Sequence, residues 1–306
     1  MGGAPLNDAS RLDLDRLGTE QINPRTTDLD RLDTLGVLER LNDEDRTVAE
    51  AVRRVLPAIA RAVDLAVERW QRGGKIVLFG AGTSGRLAML DAAELPPTYN
   101  APPERYVGRL AGGPAAFGRA VEGLEDDSTA GEAAAADLGP NDLALGIAAS
   151  GRTPWVVGAL RAARARGAAT VGLACVPGPA LAEVADVVIA VETGPEAVAG
   201  STRMKAGTAQ KLVLNSFSTA LMVRLGKVYG NLMVDLRPTN AKLHRRSARL
   251  VELIAGVDRA TAEQALAETG DLKTAVVAVS RGLPPEEARA RLARAGGVLR
   301  RALEED

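Results

Sequence analysis

Four almost wholly apolar runs, each set against a segment of helical period, constrain this chain more than any other feature. They lie at 75–79, 142–148, 169–176 and 186–191. A strand solvated on one face alternates polar and apolar residues. Continuous apolar runs of this length instead suit strands buried on both faces, as in a parallel sheet covered by helices. A further strand is predicted over 106–110, and helical segments over 84–93, 115–122, 154–166 and 180–184. Strand then helix, repeated, predicts an α/β fold: a doubly wound, parallel, five-stranded sheet with its ligand crevice at the carboxyl ends of the strands.

The flanking segments read differently. Residues 1–44 are polar, with alternating Asp and Arg, and read as an N-terminal arm. Helical spacing begins at Asp43 with Val48, Val52, Val55, Ile59 and Val63, and Gly73-Gly74 supplies a stop. A long helix is predicted over 201–229, apolar around much of its circumference and therefore buried between domains or between subunits. After Pro238 come short helical segments at 243–254, 261–269, 272–280 and 285–295. The expected division is an arm over 1–44, a ligand-binding domain over 45–237 and a small helical bundle over 238–306.

Composition narrows the function. Lys+Arg number 38 and Asp+Glu 39, a net charge of -1, which gives no electrostatic footprint for nucleic acid or an anionic membrane. An anionic small ligand remains open, because local dipoles can hold it. The one cysteine, Cys175, lies in an apolar run and reads as a buried structural thiol. With it and a single histidine, His244, no zinc site of the usual ligand types can be built, and neither a metal nor a cofactor is expected. His244 itself reads as a surface or interface residue, with a catalytic role as the alternative. The N-terminus lacks a secretory pattern, and no stretch reaches the ~18 apolar residues needed to span a bilayer, so the cytoplasm is the expected compartment.

Two turns carry the chemistry. Gly80-Ala81-Gly82-Thr83-Ser84-Gly85 follows a strand and opens a helix, where glycines admit an anion close to the backbone and the helix N-terminus offers free N–H groups. Thr83 and Ser84 add hydroxyl donors. The glycines at 80, 82 and 85 also fit the dinucleotide spacing, but that reading wants an acid at the end of the next strand, and Arg109-Leu110-Ala111-Gly112-Gly113 has none. Ala149-Ser150-Gly151-Arg152-Thr153-Pro154 repeats the arrangement after another strand, with Pro154 at a first helical position. Two such turns after neighbouring strands converge on one phosphate. A third hydroxyl pair, Ser201-Thr202, precedes Arg203 and Lys205, which read either as surface ion-pair partners or as ligand cations. Ser201 reads as an N-cap, a ligand donor or both.

These turns, together with Asp91-Ala92-Ala93-Glu94-Leu95-Pro96-Pro97-Thr98, Gly200-Ser201-Thr202-Arg203-Met204-Lys205-Ala206-Gly207-Thr208, Gly230-Asn231-Leu232-Met233-Val234-Asp235 and Thr239-Asn240-Ala241-Lys242-Leu243, resemble the N-acetylmuramic acid 6-phosphate etherase family over nearly the whole chain. The resemblance implies a sugar isomerase (SIS) domain of flavodoxin-like order, a phosphorylated amino sugar as substrate, a homodimer, and a place in cell-wall amino-sugar recycling. It implies a proton-donor glutamate at Glu94 and a second catalytic glutamate at Glu125, rather than Glu122. Its phosphate and sugar contacts fall on Thr83, Ser84, Gly85, Ser150, Gly151, Thr153, Glu196 and Ser201. The C-terminal helices resemble a ubiquitin-associated-like bundle, for which packing or dimer support is the plainest role.

The chemistry asks for two carboxyl groups independently. Cleaving an ether at C3, β to the C1 aldehyde of an open-chain sugar, needs a base for the C2 proton and an acid for the departing oxygen. Two alternatives stay open: an aldose–ketose isomerase with Glu196 as base, and a non-catalytic sensor similar to glucokinase regulatory protein. Trp155 either walls the sugar site or packs its helix.

Overall fold

The computed structural model describes residues 18–119, 123–236 and 241–304. Glu122, Thr239, Asn240 and the first 17 residues of the expected arm lie outside the described residues, as do the side chains of Ala241 and Lys242. The residues form two compact units by contact: Met1–Leu90 with Val107–Ser216, and Asp91–Tyr106 with Phe217–Asp306.

The first unit is built on the expected sheet. Strands β1 (Ile76–Gly80), β2 (Tyr106–Leu110), β3 (Leu143–Ile147), β4 (Ala169–Ala174) and β5 (Val187–Ala190) are arranged in the order β2-β1-β3-β4-β5. The pairs β1/β3, β3/β4 and β4/β5 are all parallel, with Ile76 opposite Leu143 and Leu143 opposite Ala169. This is the doubly wound order, with its reversal between β1 and β3. Every residue of β1, β3 and β4 is buried, which is why those strands read as apolar runs, broken only by Thr170 of β4, whose hydroxyl donates to Asp186 Oδ2 at 3.0 Å. Val77 and Phe79 pack into one cluster with Val156 and Leu160 of α5 (Pro154–Ala165).

Several elements differ from the sequence reading. Two helices, α1 (Thr34–Arg54) and α2 (Leu56–Gln71), replace the single helix expected from Asp43, and α2 packs along β1, β3, β4 and β5. Asp33 starts α1 by accepting the Gly36 N–H, a cap lying outside the apolar pattern. Helix α3 runs through two prolines, over Gly82–Tyr99, instead of stopping before them. It ends where Asn100 takes φ 51° and donates its N–H to the Pro96 carbonyl. Of the helix expected at 115–122, the described residues 115–119 hold only a short 3-10 turn, Pro114–Ala116, while α4 (Ser128–Ala134) was not anticipated. The segment expected as one helix over 201–229 is α6 (Lys205–Arg224) followed by a two-stranded hairpin, β6 (Val228–Tyr229) with β7 (Leu232–Met233).

In the second unit the hairpin joins α7 (Ala241–Ala255), α8 (Arg259–Thr269), α9 (Leu272–Arg281), α10 (Pro285–Arg294) and α11 (Leu299–Glu304) around Val251, Ala275, Val276 and Leu299. Asp258 and Asp271 cap α8 and α9, and Gly270 and Gly282 close them in the left-handed conformation. Lys273 is held inside by Asp235 at 3.1 Å and the Gly297 carbonyl at 2.9 Å. Among the described residues, no helix is long and apolar enough to cross a membrane.

Candidate functional site

The two hydroxyl-bearing turns follow β1 and β3, the adjacent strands at which the sheet order reverses. At the first turn the backbone of α3 is pressed onto β1. A Cβ on Gly85 would stand 2.4 Å from the Gly80 carbonyl oxygen and 2.4 Å from Leu110 Cδ1, and one on Gly80 would stand 2.5 Å from the Gly85 nitrogen. The glycine spacing that resembles a dinucleotide fingerprint is therefore explained by close helix–strand contact. Gly82, with φ 52°, turns the chain into the helix. Thr83 and Ser84 fall in the first turn of α3, where backbone N–H groups have no intrahelical acceptor.

At the second turn Gly151 has φ 67°, and a Cβ there would overlap Pro179 at 2.3 Å. The Gly151 N–H donates to the Ala148 carbonyl, and its own carbonyl accepts from Leu181. Ser150 Oγ accepts the Arg152 N–H at 3.3 Å, a tight hydroxyl turn ahead of α5. Thr153 occupies the N-cap of α5 without using its side chain as a cap.

The start of α6 joins these turns. A Cβ on Gly207 would lie 3.6 Å from Thr83 Cγ2, and Ser84 Oγ donates to Gln210 Oε1 at 2.9 Å. Gln210, absent from the sequence reading, thus ties α6 to the first turn; its place two turns beyond the Ser201-Thr202 pair was the available signal. Glu196 is completely buried and accepts the N–H groups of Lys205 at 2.8 Å and Ala206 at 2.9 Å. It caps α6 from nine residues upstream. Burial raises its pKa, opposed by those two N–H bonds. Ser201 consequently lies before the helix and is not its cap, and its hydroxyl has no partner among the described residues.

Lys205 is not a surface cation. It is 1% exposed, and its Nζ lies 2.8 Å from Glu44 Oε2. Arg25 closes on the same carboxylate at 2.5 and 2.8 Å. Arg25 first and Lys205 second pull Glu44 down to about 2, against the opposing effect of burial. Thr26 Oγ1 donates to the Ala197 carbonyl at 2.8 Å, so the described part of the arm is fastened to the segment that leads into α6. Arg86 of the first turn donates to the carbonyls of Phe117 and Ala116.

The two glutamates occupy exposed positions. Glu94 stands in the C-terminal half of α3, within the second unit. Glu125 lies in the 3-10 turn Leu124–Asp126 of the first unit, where neighbouring Leu124 covers Gly112 so closely that a Cβ there would meet its Cδ1 at 2.4 Å. Trp155 is buried against Phe79, ring centroids 6.0 Å apart, and one edge borders a cavity of about 460 Å³ beside Gly112 and Gly113. Cys175 is buried, and burial foremost pushes its thiol up to about 12, as befits a structural residue. His244 is exposed on α7. Among the described residues no cluster of His, Cys, Asp or Glu could hold a metal.

Known proteins share this arrangement. Residues 58–164 match the glucokinase regulatory protein N-terminal SIS domain, and residues 118–220 match the SIS domain. A phosphoheptose isomerase from Francisella tularensis shares the fold with TM-score 0.50 at 20% identity, over 63% of this chain and 100% of that one. The N-acetylmuramic acid 6-phosphate etherase of Mycolicibacterium smegmatis is 53% identical over 295 residues, covering 95% of this chain and 99% of its own. That of Deinococcus radiodurans is 51% identical over 290 residues, covering 94% and 95%. A likeness of this degree over almost the full length, with the hydroxyl turns in place at the sheet's reversal, shows that the chain belongs to the N-acetylmuramic acid 6-phosphate etherase family.

Proposed function

We propose that the chain cleaves the D-lactyl ether of N-acetylmuramic acid 6-phosphate with water, giving N-acetylglucosamine 6-phosphate and D-lactate. The observation that carries this reading is the pair of hydroxyl turns at the reversal of the sheet, in a chain about half identical to etherases throughout. The N-termini of α3 and α5 direct free N–H groups and positive dipole ends toward a phosphate. Thr83, Ser84, Gly85, Ser150, Gly151, Thr153 and Ser201 surround it. Glu196, both oxygens engaged, serves the substrate by fixing the first turn of α6. That engagement favours the etherase over an isomerase with Glu196 as its base.

In the reaction Glu125 removes the C2 proton of the open-chain aldehyde. The electron pair left at C2 forms the C2–C3 double bond as the C3–O bond breaks, and Glu94 gives its proton to the departing lactate oxygen. Water then adds at C3, losing a proton to the Glu94 carboxylate while C2 regains one from Glu125. The reading includes a cytoplasmic homodimer in cell-wall amino-sugar recycling, since one chain carries one such sheet. It also keeps the arm over 1–44, the sugar-phosphate domain over 45–237 and the helical domain over 238–306. In the test, purified wild type should release D-lactate from the substrate, and Glu94→Gln should abolish that release. Glu125→Gln should abolish solvent deuterium exchange at C2. A wild type that releases nothing, yet melts higher with the sugar phosphate, would point to the sensor instead.

A further inference from the structure

Helix α3 contains two consecutive prolines, Pro96 and Pro97, inside its span. Proline has no N–H, so the carbonyls four residues upstream, on Ala92 and Ala93, lose their helical partners. Those carbonyls belong to the turn that presents Glu94. Proline in a helix interior also bends the axis. The backbone by itself therefore specifies the direction of Glu94 poorly.

Asp91 supplies a constraint there. It lies one turn before Glu94 on the same helix and is 5% exposed. Tyr106 Oη donates to its Oδ2 at 2.8 Å, and Ser218 Oγ donates to its Oδ1 at 3.0 Å. The two carboxylate oxygens are thus tied to separate segments, the start of β2 and the middle of α6. Tyr106 is itself 2% exposed, and burial first, then the charge of Asp91, holds its phenol well above the usual range. It stays protonated and donates. A buried carboxylate is costly to desolvate, and an apolar side chain in its place would often be neutral or stabilising. What the acid provides, and an apolar residue does not, is direction.

We propose that Asp91 is a positioning residue for the proton donor, fixing the proline-interrupted turn of α3 so that Glu94 meets the departing oxygen. The inference rests on the reading of Glu94 as that donor. Asp91 touches no reacting atom, and it acts on the second half of the elimination, after the C2 proton has left.

The test separates the two halves. Substrate is turned over in deuterium oxide, and D-lactate release is measured beside deuterium appearing at C2 of the unreacted sugar. A displacement of about 1 Å at a catalytic group costs on the order of 10²-fold, so Asp91→Ala should lower release by about that factor, with KM held within about threefold. C2 exchange should persist, so the ratio of exchange to release rises steeply. Asp91→Asn, which keeps one acceptor oxygen and offers an amide to the second hydroxyl, should restore most of the release. If Asp91→Ala does not fold, Tyr106→Phe removes one tether and should raise the same ratio to a smaller extent. Exchange and release falling by one common factor, or an unchanged ratio, overturns the proposal. A wild type that releases no D-lactate overturns the underlying reading instead.

Discussion

Replacing Gly85 by alanine sets two effects of opposite sign against each other. Gly85 lies in the first turn of α3, and alanine in a helix is favoured over glycine by about 1 kcal/mol. Propensity alone thus predicts a more stable protein. The structure predicts the reverse, because the new Cβ would stand 2.4 Å from both the Gly80 carbonyl oxygen and Leu110 Cδ1. Reaching an ordinary van der Waals separation requires a movement of about 1 Å. Leu110 can turn aside, but Gly80 O is backbone, so helix and strand must part. Overpacking of this kind costs about 1–3 kcal/mol, and each kcal/mol lowers Tm by roughly 2–4 °C in a domain of this size. The same movement carries Thr83 and Ser84 away from their place beside α6, and a shift of about 1 Å there should weaken kcat/KM by up to 10²-fold. Calorimetry and the lactate assay on Gly85→Ala, with Gly139→Ala as control, decide the matter. A methyl group on Gly139 would meet nothing within 4 Å, so that variant should behave as wild type. A Gly85→Ala protein that melts higher than wild type, with kcat/KM intact, would refute the close-contact explanation of the glycine spacing.

Three further outcomes follow from the buried groups. Lys205→Met leaves the buried Glu44 carboxylate with Arg25 as its one remaining cation, and should cost about 3 kcal/mol in denaturant unfolding. Glu44 is depressed in the folded chain to about 2, so its stabilisation is present above its ordinary value of 4.5 and is lost as pH falls from there toward 2. Acid melts over that window should therefore be steeper for wild type than for Glu44→Gln; equal slopes would contradict the assignment. Cys175, buried and with its thiol raised to about 12, should resist alkylation at pH 8 in the native protein and react on unfolding, as mass spectrometry would register.

The sheet was legible because burial on both faces leaves β1 and β3 without a polar residue and β4 with Thr170 alone, whose hydroxyl is spent on Asp186. The hydroxyl turns were legible because their chemistry is local, written in five or six successive residues. What escaped depends on partners distant along the chain. Lys205 looked like a surface cation because the residue that buries it, Glu44, stands 161 positions away. Ser201 looked like a helix start because the actual cap comes from Glu196, outside the usual spacing. Helix α3 passes through Pro96 and Pro97 against local propensity, and the bonds that fix its Asp91 come from Tyr106 and Ser218, 15 and 127 positions away. Helix α4 carries Gly131 and five small neighbours and has no apolar stripe to betray it.

The tethering of Asp91 also sets an order of events during synthesis. Residues 91–106 leave the ribosome early, whereas Ser218 follows Asp91 by 127 positions. At roughly 5–20 residues per second, that interval lasts about 6–25 s. Throughout it the nascent chain holds an acid and a phenol destined for burial while one of their partners does not yet exist. One oxygen of Asp91 must stay hydrated until Ser218 emerges, so the turn bearing Glu94 cannot take its final form before α6 has been made.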